Sequence, residues 1–366
     1  MEKTIVIGNG IAGYTVAASL SKEGKQVVQY SEESYGFYSR IKLPQALCDA
    51  EALSSLPQGV EPPYLVHGQV KAIDGKGKQV VLSDGKRESY DHLVLATGSR
   101  CRTLPQFAGI HGVCTLRTLK DAKEISGFLK SPVCVLGGGL LGIEAARAIS
   151  KKGFAVTVLE AAPHILNRQL NDEASLLLRR KLEAEGLAFQ EGFCLSGVEQ
   201  DGKGLHSVTS STGVVVPCST MILSLGVNPE VSLAKEAGIA VNRAIVVNDH
   251  LETSMSGVYA IGDCAEYNGM VPGIMPVALG MANTLTGILL GKEQTYMPPE
   301  LMTRLKDDAF DLISIGRIEG DCHKKQDGEH YEFYFTKDDV LVGAVLISAS
   351  SKLSFVKQSL GKPFSA

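Results

Sequence analysis

The chain has 366 residues, which is enough for two or three domains at roughly 100–200 residues each. Hydrophobic residues make up 44% of the chain and charged residues 21%, a balance that excludes an intrinsically disordered protein. The formal net charge of -4 gives no reason to expect nucleic acid or an anionic membrane as a partner, and no apolar run approaches the about 18–20 residues that span a bilayer.

The first predicted element is a short strand that runs into a glycine-rich turn. Residues 5–7 are Ile-Val-Ile, an apolar run typical of a buried parallel strand. Gly8, Gly10 and Gly13 follow in the order G-x-G-x-x-G, and residues 11–22 have the apolar spacing of a helix. Strand, glycine turn and helix together are the context in which this motif predicts dinucleotide binding. Gly8 permits the tight turn, Gly10 lets the backbone approach a pyrophosphate, and Gly13 lets helix and strand pack closely.

The second predicted strand, residues 26–30, should end near an acid that binds a ribose hydroxyl. Position 31 is Ser, and Glu32 and Glu33 follow it. We predict Glu32 for this role. The alternative is that both are solvated loop acids. Next, residues 35–44 are apolar and aromatic apart from two cations, Arg40 and Lys42.

The next predicted elements are a β meander at residues 66–74 and 79–82 and an apolar strand at 93–99. After them the same pattern of strand, glycine turn and helix occurs a second time. Residues 132–136 form the new strand, Gly137, Gly139 and Gly142 repeat G-x-G-x-x-G, and residues 140–150 form the helix. A lone motif of this kind is weak evidence, and its repetition favours two dinucleotide sites.

The second unit continues as the first one does. Its next strand, residues 155–159, ends in Glu160 at nearly the spacing of the first unit. Asn171 is a candidate N-cap for a helix that runs to about residue 185, and a second meander is predicted for residues 188–217.

The remaining elements show how the domains are arranged. They are strands at 220–226 and 258–263, a helix from near Pro276 to about 290, strands at 331–335 and 340–347, and a helix at 352–358. Because the second glycine unit lies between two strands of the first, an inserted domain explains the order better than two tandem domains. We therefore predict one discontinuous domain of residues 1–103 and 223–296, an inserted domain of residues 104–222, and a small α+β domain of residues 297–366.

Four motifs in this order resemble one family. They are the glycines from Gly8 to Gly13, Ala96-Thr97-Gly98, the glycines from Gly137 to Gly142 followed by Glu144, and Gly262-Asp263. The chain resembles the FAD-dependent pyridine nucleotide-disulfide oxidoreductases, and most of all the NADH:rubredoxin reductase and nitrite reductase flavodomain branch. The resemblance implies an α/β fold with two nested Rossmann-like, three-layer ββα domains and a small C-terminal α+β domain.

The resemblance also implies FAD and NADH as cofactors, with FAD in the first unit and NADH in the inserted one. The cofactor-binding residues that follow from it are Gly8, Gly10, Ile11, Ala12, Gly13, Glu32, Arg40, Lys42, Val70, Ala96, Thr97, Gly98, Arg117, Gly137, Gly139, Leu140, Leu141, Gly142, Glu160, Gly226, Gly262, Asp263 and Met275. The catalytic residues would be Lys42 and Glu144, a cation on the flavin face and the acid that pairs with it in relatives. The alternative for Glu144 is an ordinary residue of a helix first turn.

Several of these residues have a stated role in such proteins. Asp263 would accept a hydrogen bond from the ribityl chain, Arg117 would contact the flavin, and Val70 would contact adenine through its backbone. The alternative for Asp263 is a helix cap after a glycine turn. The helix that starts near Pro276 would point its positive N-terminus at the flavin pyrimidine.

Glu160 makes the clearest prediction of specificity. A carboxylate at this place pairs with a ribose 2′-hydroxyl and repels a 2′-phosphate. Ala161, Ala162 and Pro163 follow, and the first cation is Arg168. We therefore expect NADH to be preferred over NADPH.

The cysteines bear on both compartment and electron transfer. The sequence has 8 cysteines, without a C-x-x-C pair and without metal-ligand spacing, so we expect reduced thiols, a cytoplasmic protein and no metal site. The chain opens directly on a predicted strand, so we also expect no signal peptide. Ser39 stands where relatives with a single redox cysteine carry it. Cys48 and Cys264 are the nearest thiols, and a packing role is expected for Cys264.

Without a thiol relay, electrons should leave the flavin directly for a small iron or iron–sulfur protein, with rubredoxin as the leading candidate. One alternative is an NADH oxidase that reduces oxygen. Another is a flavoprotein subunit or NADH-responsive interaction protein with slow turnover alone. Rubredoxins are acidic, so Arg40, Lys42, Arg100 and Arg102 are candidates for a docking patch on a monomer or homodimer.

Overall fold

The computed structural model describes residues 2–57, 59–202, 204–271, 273–306 and 311–364. None of the helices in these ranges is both long and apolar enough to cross a bilayer.

The first domain is built on a parallel five-stranded sheet. Its strands, in spatial order, are Val258–Ala260, His92–Leu95, Lys3–Ile7, Gln26–Ser31 and Leu65–His67. Helices Ile11–Lys22 and Met275–Leu289 pack against each other, and their buried faces join the sheet in one core. A three-stranded antiparallel meander, Val70–Asp74, Gln79–Leu82 and Arg87–Ser89, adds Val70, Ile73 and Val80 to that core.

The inserted domain repeats this plan. Its parallel strands, in spatial order, are Ala188–Glu191, Val156–Glu160, Val133–Leu136, Thr220–Leu223 and Val113–Thr115. Its helices are Leu119–Phe128, Leu140–Ser150 and Asp172–Ala184, and its meander is Leu195–Asp201, Gly204–Ser210 and Val215–Pro217. The strand predicted to reach residue 226 ends at Leu223, which pairs with Leu136 and Thr115 and so belongs to the inserted sheet, one residue past the predicted boundary.

Two predicted meander segments turn out to contribute edge strands to the parallel sheets. Leu65–His67 pairs with Gln26–Ser31, and Ala188–Glu191 pairs with Val156–Glu160. Local alternation predicts a strand but does not say which neighbour it pairs with, because pairing is a long-range choice.

The two connections between the domains lie side by side. Ser99–Cys101 leads into the inserted domain, Val227–Pro229 leads out of it, and the two pair as an antiparallel ribbon. This ribbon supports the predicted insertion. Shorter elements complete the two domains: helices Leu43–Ala46, Ala50–Ser55 and Ser232–Glu236, 3₁₀ turns Arg40–Lys42, Pro105–Phe107 and Gly262–Cys264, and the strand pair Ile245–Val247 and Ala265–Tyr267.

The C-terminal domain is an antiparallel five-stranded sheet with one helix. Its strands, in spatial order, are Met302–Lys306, Asp311–Gly316, Val340–Ile347, His330–Lys337 and Asp321–Asp327, followed by the 3₁₀ turn Ser350–Lys352 and the helix Leu353–Ser359. The sequence predicted the central strand Val340–Ile347, its neighbour His330–Lys337 and the helix, but not the largely buried strand Asp311–Gly316. The edge strand Asp321–Asp327 is mostly polar and exposed. Its sequence therefore lacks the apolar alternation from which a strand can be predicted.

The two faces of this sheet have different neighbours. Val345 and Ile347 enter the core of the inserted domain, whereas Ala344 and Leu346 pack on the side of the terminal helix. Polar contacts reinforce the attachment, because Lys181 pairs with Glu329 at 2.8 Å, Lys324 pairs with Glu173 at 2.6 Å, and Ser314 Oγ donates to Gln169 O at 2.6 Å.

Candidate functional site

The turn after the first strand has room only for glycine at two positions. Gly8 has φ +115°, and a Cβ placed on it would lie 2.1 Å from the carbonyl oxygen of Ala96. A Cβ on Gly13 would lie 2.1 Å from the carbonyl oxygen of Gly8. The helix Ile11–Lys22 therefore starts directly against the strand end, as a dinucleotide-binding loop requires.

The turn of the inserted domain has the same geometry. Gly137 also has φ +115°, and a Cβ on it would lie 2.2 Å from the carbonyl oxygen of Ser224. A Cβ on Gly142 would lie 2.1 Å from the carbonyl oxygen of Gly137. Ser224 thus takes the place that Ala96 has in the first loop, and the repeated motif is a repeated structure.

Both helices begin without a side-chain cap. Their N-cap residues are Gly10 and Gly139, so backbone N–H groups at each helix start remain available to a phosphate. Ile11 and Ala12 lie in the first turn of one helix, and Leu140 and Leu141 lie in the first turn of the other.

The Glu160 carboxylate is fixed beside the second loop. The strand Val156–Glu160 ends there, and Glu160 Oε2 accepts a hydrogen bond from Gly138 N at 2.6 Å. Its Oε1 accepts one from Ala162 N at 2.7 Å. Because backbone groups hold both oxygens, the negative charge stays at the edge of the loop, where a ribose hydroxyl would lie.

Asp263 joins the two domains. It lies in the turn Gly262–Cys264, and its Oδ2 accepts hydrogen bonds from Ser99 Oγ at 2.8 Å and Arg117 Nη2 at 2.7 Å. Arg117 Nη2 also donates to Ser99 Oγ at 2.7 Å. The structure therefore brings together two predicted cofactor residues, and it adds Ser99, for which the sequence carried no pattern.

A second cluster lies at the first loop. The Arg40 guanidinium donates to the Glu33 carboxylate, and the Tyr38 hydroxyl donates to the same carboxylate. Arg40 Nη1 is 3.0 Å from the point that a Cβ on Gly10 would occupy. The Tyr38 hydroxyl also accepts a hydrogen bond of 3.0 Å from Leu119 N, the first residue of a helix in the inserted domain.

The ionisation of this cluster is stable around neutral pH. Burial, with help from the hydrogen bond to Glu33, raises the pKa of Tyr38 to about 12, so its hydroxyl stays a donor. Burial alone would lower the pKa of Arg40, but the Glu33 carboxylate and the Tyr38 hydroxyl together outweigh it and raise that pKa. The cation at Gly10 is therefore permanent.

Glu32, the acid predicted from the sequence, lies outside this cluster. Its side chain is exposed, accepts a hydrogen bond from Gln69 Nε2 at 3.2 Å, and lies 3.7 Å from Arg100 Nη2. Arg100 also forms an ion pair with Glu230. The two adjacent acids thus have different side-chain partners, and the ribose-binding role of Glu32 stays a prediction.

The predicted catalytic pair, Lys42 and Glu144, is not in contact. Lys42 precedes the short helix Leu43–Ala46 and is exposed, and Glu144 is half-buried on the helix Leu140–Ser150. In the ranges the structure covers, no ion pair joins them. Burial raises the pKa of Glu144, and Arg147 partly opposes this. The two helices do pack together, so the flavin-face segment contacts the inserted domain, and the catalytic roles stay a prediction.

The other predicted residues surround these clusters. Gly98 has φ +71° and Gly226 has φ +82°, at the two ends of the linker ribbon. Thr97 Oγ1 donates to Glu230 O at 2.7 Å. Val70 is buried at the start of the meander, and Met275 begins its helix with Pro276 in the first turn, as predicted.

The two thiols near the site are not activated. Cys264 is fully buried, and its Sγ donates to the carbonyl oxygens of Leu95 and Ile261 at 3.3 Å. Burial raises the pKa of Cys264 and that of the half-buried Cys48. Neither thiol has the lowered pKa that favours a reactive thiolate, and the packing role of Cys264 stays a prediction.

The residues present fit two dinucleotides. Each loop offers a close-packed glycine turn and free N–H groups. At the first loop, buried polar atoms of Asn9 (Oδ1), Arg40 (Nε) and Arg117 (Nε) have no partner among the described residues. Buried polar groups are normally hydrogen-bonded, so these atoms are suited to a polar ligand. Glu160 provides the ribose acceptor at the second loop.

Comparisons with known proteins identify the family of the chain. Residues 2–282 match the family model described as pyridine nucleotide-disulphide oxidoreductase. The rubredoxin-NAD(+) reductase of Pseudomonas putida is 34% identical over 284 residues, which cover 74% of each chain. A solved ferredoxin reductase from Rhodopseudomonas palustris has a TM-score of 0.89 at 25% identity, covering 100% of this chain and 96% of that one. The predicted fold class is thereby confirmed.

Another relative is much longer than this chain. The NAD(P)H nitrite reductase of Bacillus subtilis (strain 168) is 30% identical over 372 residues, which cover 96% of this chain and 46% of that protein. The chain therefore spans about half of this relative. The family match and the rubredoxin-NAD(+) reductase likeness both cover most of the chain, and so the chain belongs to the pyridine nucleotide-disulphide oxidoreductase family, whose cofactors are FAD and NADH.

Proposed function

We propose that the chain is a cytoplasmic, FAD-dependent NADH oxidoreductase that passes electrons to a small redox protein, with rubredoxin as the leading candidate. The observation that carries this proposal is the pair of equivalent glycine loops, on two domains joined at Asp263 and Arg117. The likeness to a rubredoxin-NAD(+) reductase supports rubredoxin as the acceptor.

FAD is assigned to the first loop. The Asp263 carboxylate would accept a hydrogen bond from the ribityl chain, and Arg117 would hold that carboxylate in place. The helix Met275–Leu289 has an apolar N-terminus with no acidic residue in its first turn, so its positive end would favour negative charge on the flavin pyrimidine. Bound there, FAD would take up an electron pair as hydride and release electrons one at a time.

NADH is assigned to the second loop, where the fixed Glu160 carboxylate would accept the ribose hydroxyls. The packing of helix Leu43–Ala46 on helix Leu140–Ser150 brings the two sites together. Glu144 would lie at this junction in a half-buried position, which suits a group that adjusts the local charge. Lys42 would have to turn inward to meet it.

Electron transfer without thiols can be tested directly. Cys48→Ser is expected to leave the rate of flavin reduction by NADH and the rate of rubredoxin reduction within about twofold of the parent protein, because the raised pKa keeps Cys48 as a thiol. Stopped-flow measurement of both half-reactions would check this. A tenfold loss in the second half-reaction alone would show that Cys48 relays electrons.

Two of the four cations predicted for a docking patch have carboxylate partners. Arg40 is paired with Glu33, and the exposed Arg100 is paired with Glu230 and Glu32, so neither is an unpaired cation. Arg102 remains exposed on the linker ribbon, with one hydrogen bond of 2.9 Å to Asn228 Oδ1. Charge reversal at Arg100 would place a third carboxylate beside Glu32 and Glu230. A loss of activity could then come from a folding defect as well as from weaker docking.

Arg102→Glu is therefore the cleaner variant. It is expected to lower kcat/KM for rubredoxin by roughly tenfold at low ionic strength and to leave NADH oxidation with a small dye unchanged, because rim charges act mainly on association. Arg180→Glu is the matched control, because Arg180 is an exposed Arg on the helix Asp172–Ala184 and has no ion pair among the described residues. Equal losses with rubredoxin and dye would contradict a docking role.

The function as a whole can be tested by anaerobic stopped flow. The flavoprotein is reduced with NADH while flavin absorbance is followed, and is then mixed separately with rubredoxin, ferredoxin or oxygen. Fast reduction followed by fast rubredoxin reduction is the expected result. Reoxidation by oxygen alone would make the chain an NADH oxidase. Slow reduction despite bound FAD would make it a subunit or an NADH-responsive protein, and the half-length match to the nitrite reductase would then direct the search for its partner.

A further inference from the structure

Arg40 lies where the phosphates of a dinucleotide would lie at the first loop. Its Nη1 is 3.0 Å from the point that a Cβ on Gly10 would occupy, at the uncapped start of helix Ile11–Lys22. The helix start already favours an anion, and a guanidinium can bind a phosphate with two parallel hydrogen bonds. The Nε of Arg40 is buried without a partner among the described residues, which leaves a donor available.

Two other side chains hold Arg40 in this position. Glu33 accepts from Arg40 Nη2, and Tyr38 donates to the second oxygen of the same carboxylate. The Arg40 guanidinium also lies 5.8 Å from the centre of the Tyr38 ring. Glu33 therefore cannot turn away from Arg40 without losing Tyr38 as well.

The cluster is anchored from two sides. His67 Nδ1 is 2.7 Å from Glu33 O, and Ser31 Oγ is 3.2 Å from Glu33 N, so the backbone of Glu33 is fixed after its strand. On the other side, the Tyr38 hydroxyl accepts from Leu119 N, at the start of a helix with a Thr118–Asp121 capping box. Tyr38 is almost fully buried, so its hydroxyl has little freedom.

We propose that Glu33 and Tyr38 are positioning residues that hold the Arg40 guanidinium over the Gly10 turn to bind the pyrophosphate of FAD. The inference rests on the proposed function, because it takes FAD as the ligand of the first loop. It goes beyond the sequence prediction, which named Arg40 as a cofactor-binding residue without a stated role and gave Glu33 no role. Here Arg40 acts on the phosphates, and Glu33 holds Arg40 in place.

The test is the dissociation constant of FAD from the full-length holoprotein, measured by the fluorescence of flavin released on serial dilution. Arg40→Gln is expected to weaken FAD binding on the order of 100-fold, and Arg40→Lys to recover part of it, because an ammonium keeps the charge but not the paired hydrogen bonds. Glu33→Gln and Tyr38→Phe are each expected to weaken binding roughly tenfold.

The controls separate positioning from folding. Tyr30→Phe removes a hydroxyl that donates to Glu88 in the same domain and is expected to leave FAD binding unchanged. Added NaCl should weaken FAD binding to the parent protein, and much less so to Arg40→Gln, because the salt screens the phosphate–cation attraction. A structural defect would not change this salt dependence.

Several results would overturn the inference. If Glu33→Gln keeps the parent affinity for FAD while Glu32→Gln weakens it, the acid that supports the site is Glu32 and not Glu33. If Arg40→Gln weakens binding but Glu33→Gln and Tyr38→Phe do not, neither residue positions Arg40. If Arg40→Gln keeps the parent affinity or the parent salt dependence, Arg40 does not bind phosphate. A parent protein that binds FAD and is reduced by NADH would still support the proposed function in all three cases, and one that binds no FAD would overturn both.

Discussion

Gly137→Ala is expected to give a protein that keeps FAD but is no longer reduced by NADH, whereas Gly8→Ala is expected to lose FAD. Both glycines have φ +115°, a conformation that an L side chain rarely adopts. An added Cβ would lie 2.2 Å and 2.1 Å, respectively, from a backbone carbonyl oxygen. The backbone cannot move aside without a large cost in free energy. Each substitution should therefore lower the affinity of its loop for the cofactor on the order of 100-fold.

The measurement is FAD content after purification together with the anaerobic rate of flavin reduction. Gly127→Ala is the matched control, because Gly127 lies in helix Leu119–Phe128 with nothing within 4 Å of an added Cβ. Dithionite should still bleach the flavin of Gly137→Ala, which shows that only delivery from NADH is lost. If Gly137→Ala lost FAD and Gly8→Ala kept it, the assignment of cofactors to loops would be reversed.

The second large effect concerns Glu160. The kcat/KM for NADH is expected to exceed that for NADPH by on the order of 100-fold or more, because a fixed carboxylate repels a 2′-phosphate and a charged hydrogen bond is worth about 1.5–3 kcal/mol. The carboxylate cannot swing aside easily, since Gly138 N and Ala162 N hold it at 2.6 Å and 2.7 Å. The sequence places no Lys or Arg between Glu160 and Arg168 to receive a phosphate.

Glu160→Gln should remove most of this preference, mainly by lowering kcat/KM for NADH. The ratio of the two kcat/KM values, measured by steady-state kinetics with a dye acceptor, checks the expectation. Glu191→Gln is the control, because Glu191 pairs with Glu160 across neighbouring strands but binds Ile165 N and Arg179 instead. Comparable kcat/KM for NADH and NADPH in the parent protein would refute the role of Glu160.

The predicted elements that agree best with the structure are those inferred from local sequence patterns. The strands before Gly8 and Gly137, the helices after them and the position of Glu160 all follow from short segments whose residues interact with their own neighbours. The family resemblance added roles for Asp263 and Arg117, and the structure brings these two residues into direct contact.

The predictions that differ from the structure concern strand pairing and ion pairing, which depend on residues far away in the sequence. Whether Leu65–His67 joins a meander or a parallel sheet depends on a strand more than thirty residues away. The same holds for Arg100, whose partners Glu32 and Glu230 come from different parts of the first domain. Docking patches inferred from sequence count such cations as free because the sequence does not show their partners.

The sequence by itself determined two strand–glycine turn–helix units of the same geometry, because glycine spacing and apolar runs act over a few residues. Only the tertiary structure decided that Glu33 holds Arg40, that no ion pair among the described residues joins Lys42 to Glu144, and that Asp263 is hydrogen-bonded to Arg117. Adjacent residues share almost the same sequence context, but their side chains point in different directions. Which of them meets a given partner is therefore set by the packing of distant segments, which no local pattern records.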